Sequence, residues 1–328
     1  MKSKVHLQKI ESYSLGSVEQ FIRDSLKVLD PEASLFSLGQ KVLLKPNLLR
    51  GFKPERCVTT HPVVMEAVCR VLKDLSVGQI VISDSPALGS LLAVADKAGY
   101  SFLERKYGAQ ILPLTDPIPF ENAEQIPYLK IAGCLEQYDH IINLPKVKAH
   151  CQMTMTLGIK NLFGLVIGKR KPALHCLVKN DKLKFGKMLI DIARHVNPCL
   201  TIVDGIQAMQ GQGPVNGTPY PLGVMGASKD MTALDRIFAE LVSIPLDKVY
   251  ALQAARLKQF GQFHVEDMEI SGVADYQTLA VEDFKQAYPI DISFNPLKLF
   301  KSFLKQFYEV GIKENLSTRG GTNLKETI

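Results

Sequence analysis

His150, Lys160 and His175 are the residues of this chain whose types and spacing best suit chemistry. An imidazole titrates near neutral pH and ligates metals through either ring nitrogen. A lysine between a glycine and an asparagine in apolar surroundings can lose its proton and act as a nucleophile, or anchor an oxyanion. These three form the candidate catalytic set. His150 and His175 are also the candidate metal ligands, each followed by a cysteine, Cys151 and Cys176. Adjacent side chains point apart, so each pair offers one ligand to a shared site, two where a stable site needs three or four. All lie in residues 143–176. There Asn143, Lys146, Lys148, Asn161, Lys169, Arg170 and Lys171 add polar and positive groups, and Gly158, Gly164 and Gly168 permit close backbone approach. A small anion or a metal complex is the expected guest.

The elements that must position these residues read as alternating strands and helices. Apolar runs or alternation predict strands at 5–10, 41–44, 80–82, 109–114, 126–131, 140–143, 199–203 and 222–225. Helical spacing predicts helices from a capping box at Ser17 and Gln20 to residue 28, from Pro62 onward, and over 88–98, 153–166, 182–196 and 230–241. The expected fold is therefore α/β, a mostly parallel sheet flanked by helices. Ligands of such sheets sit beyond the carboxyl ends of the strands. At those ends stand Lys45 and Asn47, Asp84 and Ser85, Asn143 and Lys146, and Asp204. Together with Lys148, Asn161, Gly211 and Gly213 they form the expected ligand-binding set. The competing reading is that turns after strands simply require Asn, Asp, Gly and Pro.

The chain has 328 residues, a net charge of +6, 46% hydrophobic and 22% charged residues. That is the profile of a globular chain with a mild preference for anions. Nucleic acid is disfavoured as a partner because aromatic residues do not interleave with the lysines. The N-terminus lacks the apolar core of a signal peptide, no apolar run is long enough to span a bilayer, and the expected location is cytoplasmic. The six cysteines form no CxxC pair, which argues against an iron-sulfur cluster motif, a zinc knuckle or a disulfide framework. Residues 1–290 are expected to form the α/β domain, as one or two lobes. Residues 291–310 read as a basic amphipathic helix with Leu297, Phe300, Phe303, Leu304 and Phe307 on one stripe, and 311–328 as a flexible tail. The stripe suits a homo-oligomer contact or docking on the parent domain better than a weak membrane-surface contact.

Several separated motifs then carry a resemblance. Lys45 to Leu48, Thr59 to Pro62, Asp84 to Pro86, Asn143 to His150, Gly158 to Gly164, His175, Val203 to Gly205, Gly211 to Pro214 and Gly217 are similar, in order over roughly 40–245, to the family catalogued as domain of unknown function 362. The resemblance implies no assigned reaction. Many members carry a ferredoxin-like domain that this chain lacks, and Gln210 stands where glutamate is usual. A remoter similarity is to the N-terminal domain of nickel-pincer lactate racemases. In those enzymes a histidine precedes by ten residues a Gly-x-Lys whose lysine holds a pyridinium-derived cofactor, and a later histidine helps at the metal; His150, Gly158, Lys160 and His175 match that spacing. The resemblance implies a metal-containing cofactor. The expected function is an enzyme acting on a small anionic metabolite by a redox or racemase-like proton or hydride transfer. The alternative is a non-catalytic binder or carrier of an anionic or metal-containing cofactor.

Overall fold

A computed structural model describes residues 2–120, 123–167, 171, 174, 178 and 181–290. The amphipathic helix and tail expected after residue 290, and His175 with Cys176, lie outside the described residues. The chain opens with β1 (Ser3–Lys9), α1 (Leu15–Leu29), β2 (Lys41–Pro46), α2 (Pro62–Asp74), β3 (Gln79–Ile82), α3 (Leu91–Lys97), α4 (Phe102–Tyr107) and β4 (Gln110–Ile111). A small hairpin of β5 (Pro117–Pro119) and β6 (Lys130–Ala132) follows, then β7 (His140–Leu144), β8 (Lys146–His150), β9 (Thr154–Thr156) and the one-turn α5 (Gly158–Asn161). Next come α6 (Lys182–Val196), β10 (Leu200–Gln210), β11 (Thr218–Tyr220), β12 (Val224–Ser228), α7 (Met231–Leu241), α8 (Tyr250–Leu257) and β13 (Met268–Ser271).

The sheet runs β13-β1-β12-β10-β7-β2-β3-β4, and along this path only β12 opposes its neighbours. The mostly parallel α/β fold is therefore present. Its strands are covered on both faces, and the side-chain alternation shows how. Val42, Leu44, Ile80, Ile82, Ile142 and Ile202 enter the core shared with α1 and α2, while Leu43, Val81, Ile141 and Val203 enter the core shared with α6, α7 and α8. Period-two alternation between two apolar layers is what a parallel strand with helices on each side requires.

The helix boundaries follow local chemistry. α6 occupies the predicted span, capped by Asp181, whose side chain accepts the Lys184 amide, and ended by Asn197 in the left-handed region. α2 starts at Pro62 behind His61, whose ring accepts the Val63 amide. α1 starts earlier than the Ser17 box predicted, behind Ser14, and that serine makes no side-chain cap bond. The 153–166 helix is a larger correction: a strand, one α-turn and a 3-10 turn (Leu162–Leu165) fill the segment. The segment after β7 was expected to leave the sheet, and instead β8 continues it.

β8 is a consequence of Pro145. Proline has no amide to give a ladder, so the strand breaks there. Its carbonyl accepts the Asp204 amide at 2.9 Å, and β8 resumes beside the second half of the eleven-residue β10. Two strands in succession thus use one long neighbour. The lysine-rich half is carried past the carboxyl edge of the parallel sheet while its backbone stays paired.

Candidate functional site

Five consecutive residues of β8 are buried, and three of them are Lys146, Lys148 and His150. Alternation puts those three on one face and Val147 and Ala149 on the other, in the apolar core. Beyond this face lies a cleft of about 60 Å³ lined by Asn47, Asp84, Ser85, Lys148, His150, Thr156, Lys160, Asn161, Phe163, Gly164, Leu49 and Pro214. Seven residues of the expected set therefore meet around one space: Asn47, Asp84, Ser85, Lys148, His150, Lys160 and Asn161.

Behind its floor Lys45, fully buried, pairs with Asp84 at 3.1 Å and donates to the Pro46 carbonyl at 2.6 Å. Asp84 also accepts the Leu48 amide on Oδ2 and the Ser85 amide on the Oδ1 that meets Lys45, both at 2.7 Å. Gly164 lets this pair pass: a Cβ there would lie 2.6 Å from Lys45 Nζ and closer still to Asp84 Oδ1. Asn143 accepts from Asn161 at 2.8 Å and donates to the Gly158 carbonyl at 3.0 Å, so it supports the cleft from below and does not line it. Asp235 of α7 accepts the amides of Gly158 (2.7 Å) and Ile159 (2.9 Å), and so fixes the turn that presents Lys160. Burial lifts the Asp235 carboxyl to about 7, against the pull of those two bonds.

The cleft lysines are desolvated cations in different surroundings. Among the described residues Lys148 donates only to neutral oxygens, Asn47 Oδ1 and the Val58 carbonyl, both at 2.8 Å, and burial takes it well below the usual lysine range. Lys160 sits 4.9 Å from the Phe163 ring centre and 5.6 Å from that of Phe185. Burial, with repulsion from Lys45, brings it to about 8. Lys171 donates to the Ser85 carbonyl, and burial brings it to about 7. His150 Nδ1 accepts the amides of Gln152 (3.1 Å) and Met153 (3.3 Å), which leaves the proton of the neutral ring on Nε2.

The lysine shifts set a pH dependence. Unfolded lysines hold their proton up to about 10.5, so between pH 7 and that value the unfolded chain carries more protons than the folded one. Stability therefore rises with pH through this window, and the full charge-burial penalty remains below it. Melting wild type and Lys160→Met at neutral pH and near pH 9.5 checks this: the variant's advantage is expected to shrink at the higher pH. A constant difference would reject the desolvation account.

Lys146 and Asp204 do not line the cleft. Lys146 Nζ meets Asp204 Oδ2 at 2.9 Å and the Tyr13 hydroxyl at 2.6 Å; the hydroxyl donates to Asp204 Oδ1 at 2.8 Å, and the His61 amide donates to Oδ2 at 2.9 Å. The Tyr13 and His61 rings stack with centres 3.5 Å apart, and burial takes His61 down to about 4. This closed cluster ties the loops after β1 and β2 to β8 and β10. Tyr13 was not a predicted site residue, and its contact bridges 133 positions of sequence to Lys146. The amides of Gly211 and Gly213 are already bonded, to the carbonyls of Lys285 (2.6 Å) and Gly211 (2.7 Å), so the glycine loop gives the cleft Pro214 and no amide cradle.

A match to the domain of unknown function family DUF362 covers residues 42–240, which hold the cleft and most of the sheet. The chain belongs to the DUF362 family. The thylakoid-associated protein sll1697 of Synechocystis sp. is 34% identical to this DUF362 chain over 319 residues, covering 96% of this chain and 98% of that one. The structure of the lactate racemase apoprotein from Thermoanaerobacterium thermosaccharolyticum is similar over 70% of this chain and 55% of its own, with a TM-score of 0.44 and 14% sequence identity. The DUF362 chain thus spans about half of the racemase's length. The likeness is remote and carries no reaction with it.

For a bare metal ion the described donors do not fit. No group of three or more His, Cys, Asp or Glu side chains able to hold one occurs among the described residues. Both oxygens of the cleft's carboxylate, Asp84, already accept from the chain. His175, the second donor expected from the sequence, is outside the described residues. Among those residues no helix is long and apolar enough to cross a membrane.

Proposed function

We propose that this DUF362 protein is an enzyme of small anionic metabolites, in which the cleft lysines hold a carboxylate or phosphate group and His150 moves a proton on the bound molecule. The observation that carries the reading is the charge imbalance of the cleft among the described residues: Lys148 and Lys160 line it with Lys45 and Lys171 close behind, against the single carboxylate of Asp84. A scaffold gains nothing from such an excess, because each buried cation without a carboxylate partner is costly. A guest oxyanion compensates it through charge-assisted hydrogen bonds. The reaction class we favour is racemase- or isomerase-like proton transfer, since the Nε2 proton of the neutral His150 ring suits a general acid and a base of the same kind returns it. The five cysteines among the described residues are free thiols, which supports a cytoplasmic, reducing setting.

Lys148→Met tests the reading. The change keeps the stem volume and removes an unpaired buried charge, so thermal stability is expected to hold or rise. Affinity for inorganic phosphate or acetate, followed by calorimetric titration, is expected to fall at least about tenfold, near 1.4 kcal/mol for a lost charge-assisted contact. Equal affinity in variant and wild type would remove the cleft from consideration. Solvent deuterium entering a panel of hydroxy, oxo and amino acids reads the proton transfer; binding without any exchange would make the protein a binder.

A further inference from the structure

Lys160, half-buried, differs from the other lysines at this end of the sheet. Lys45, Lys146, Lys148 and Lys171 each donate to at least one oxygen. Lys160 has no oxygen acceptor among the described residues, and its described partners are the faces of Phe163 and Phe185, both buried side chains. A lysine whose task were to hold charge would be tethered as its neighbours are.

Two effects compete over its proton. Ring faces favour the ammonium through the negative face of their quadrupole. Desolvation and repulsion from Lys45 favour the amine, and they prevail, since the group stands near 8, below an ordinary lysine. An untethered, partly deprotonated amine beside other cations, on the wall of a cleft that also presents His150, has the character of a nucleophilic lysine. The positions are fixed from outside the cleft. Asp235 holds the Gly158 and Ile159 amides, and a Cβ on Gly158 would press to 2.9 Å from its carboxylate, so the turn cannot drift.

We infer that Lys160 is an imine-forming residue, its amine condensing with the keto group of a small 2-oxo acid whose carboxylate rests on the neighbouring lysines. This rests on the anion-cleft reading above and names its substrate class. The Nζ lone pair attacks the keto carbon while the carbonyl electrons move to oxygen, which takes up the proton that the nitrogen releases. The carbinolamine then loses that oxygen as water, for which His150 is placed in the same cleft to supply the second proton, and a C=N bond remains with its nitrogen protonated. No electron donor or acceptor is needed. The iminium draws electrons from the adjacent carbon, so a C3 proton can leave to form the enamine and be replaced from solvent. The two phenylalanine rings shield the amine from water, which favours a condensation that expels water.

The test uses the full chain with pyruvate as probe and sodium cyanoborohydride as trap, read by intact mass and peptide mapping. A single reduced adduct on Lys160 is expected, absent in Lys160→Met and Lys160→Arg, retained in Lys106→Met, a change at an exposed lysine outside the cleft, and forming faster as pH rises through about 8. Deuterium is expected to enter C3 of pyruvate in wild type and to drop to the solution rate in Lys160→Arg. Phosphate titration of the same proteins separates the two readings. If phosphate binds while no adduct forms, or the adduct persists in Lys160→Met, the imine assignment is overturned and the anion cleft stands. If neither phosphate nor pyruvate binds, both fall.

Discussion

Replacing Asp204 by alanine is expected to lower stability by about 3 to 5 kcal/mol while the folded fraction keeps near-native affinity for phosphate. Lys146 and Asp204 are 1% and 0% exposed, so the variant strands a buried ammonium. The Tyr13 hydroxyl and the His61 amide lose their acceptor at the same stroke. A stranded buried charge is the costly half of a buried pair, and the pair itself is not intrinsically stabilising. Combining Asp204→Leu with Lys146→Met is therefore expected to recover much of the loss. Urea unfolding of the three proteins measures it. A loss under about 1 kcal/mol for Asp204→Ala would mean that the cluster is wetter than its geometry states.

Gly164→Ala is the second large effect, and it strikes fold and cleft together. The added methyl would meet Lys45 and Asp84 well inside 3.0 Å, a separation real Cβ atoms essentially never show. Neither neighbour is a loose end: Lys45 is wholly buried, and Asp84 is held by two backbone amides. Overpacking alone costs about 1 to 3 kcal/mol, and parting the buried pair adds to it, so a total near 4 kcal/mol is expected. Phosphate affinity is expected to fall as well, because Asp84 lines the cleft. Gly16→Ala is the control, since nothing lies within 4 Å of its added carbon. Melting curves showing equal stability for both variants would contradict the packing described for Gly164.

Much of the fold was legible because burial writes a period into the sequence. α6 lies on its predicted span, and β2, β3, β7, β10 and β12 lie within a few residues of theirs apart from a long extension of β10. The strand-exit rule also brought Asn47, Asp84 and Ser85 to the same cleft as Lys148, His150, Lys160 and Asn161. β8 was missed although its alternation of Lys, Val, Lys, Ala and His is regular, because lysines suggest solvent and these are buried. Lys146 and Lys148 look equivalent in sequence and have different partners. Tyr13 and Asp204 close around the first, while Asn47 and Val58 receive the second. Such a division depends on contacts about a hundred residues apart, which no local pattern encodes. The same holds for Phe185, which reads as an ordinary helix face and serves as one wall for Lys160.

The alternation of β8 also constrains how this segment can change length. Its two faces do opposite work: Val147 and Ala149 fill the apolar core, while Lys146, Lys148 and His150 serve the cluster and the cleft. One residue added or removed before Lys146 would present valine and alanine to the polar side and drive lysines into the core. Only changes in steps of two keep the phase, and even these move each lysine along by about 6.7 Å, one full pleat repeat. The strand behaves as a ratchet with a two-residue tooth. Viable insertions are accordingly expected to cluster outside 146–150 and outside its antiparallel partner β9, in the turn at Cys151 to Met153 that joins them.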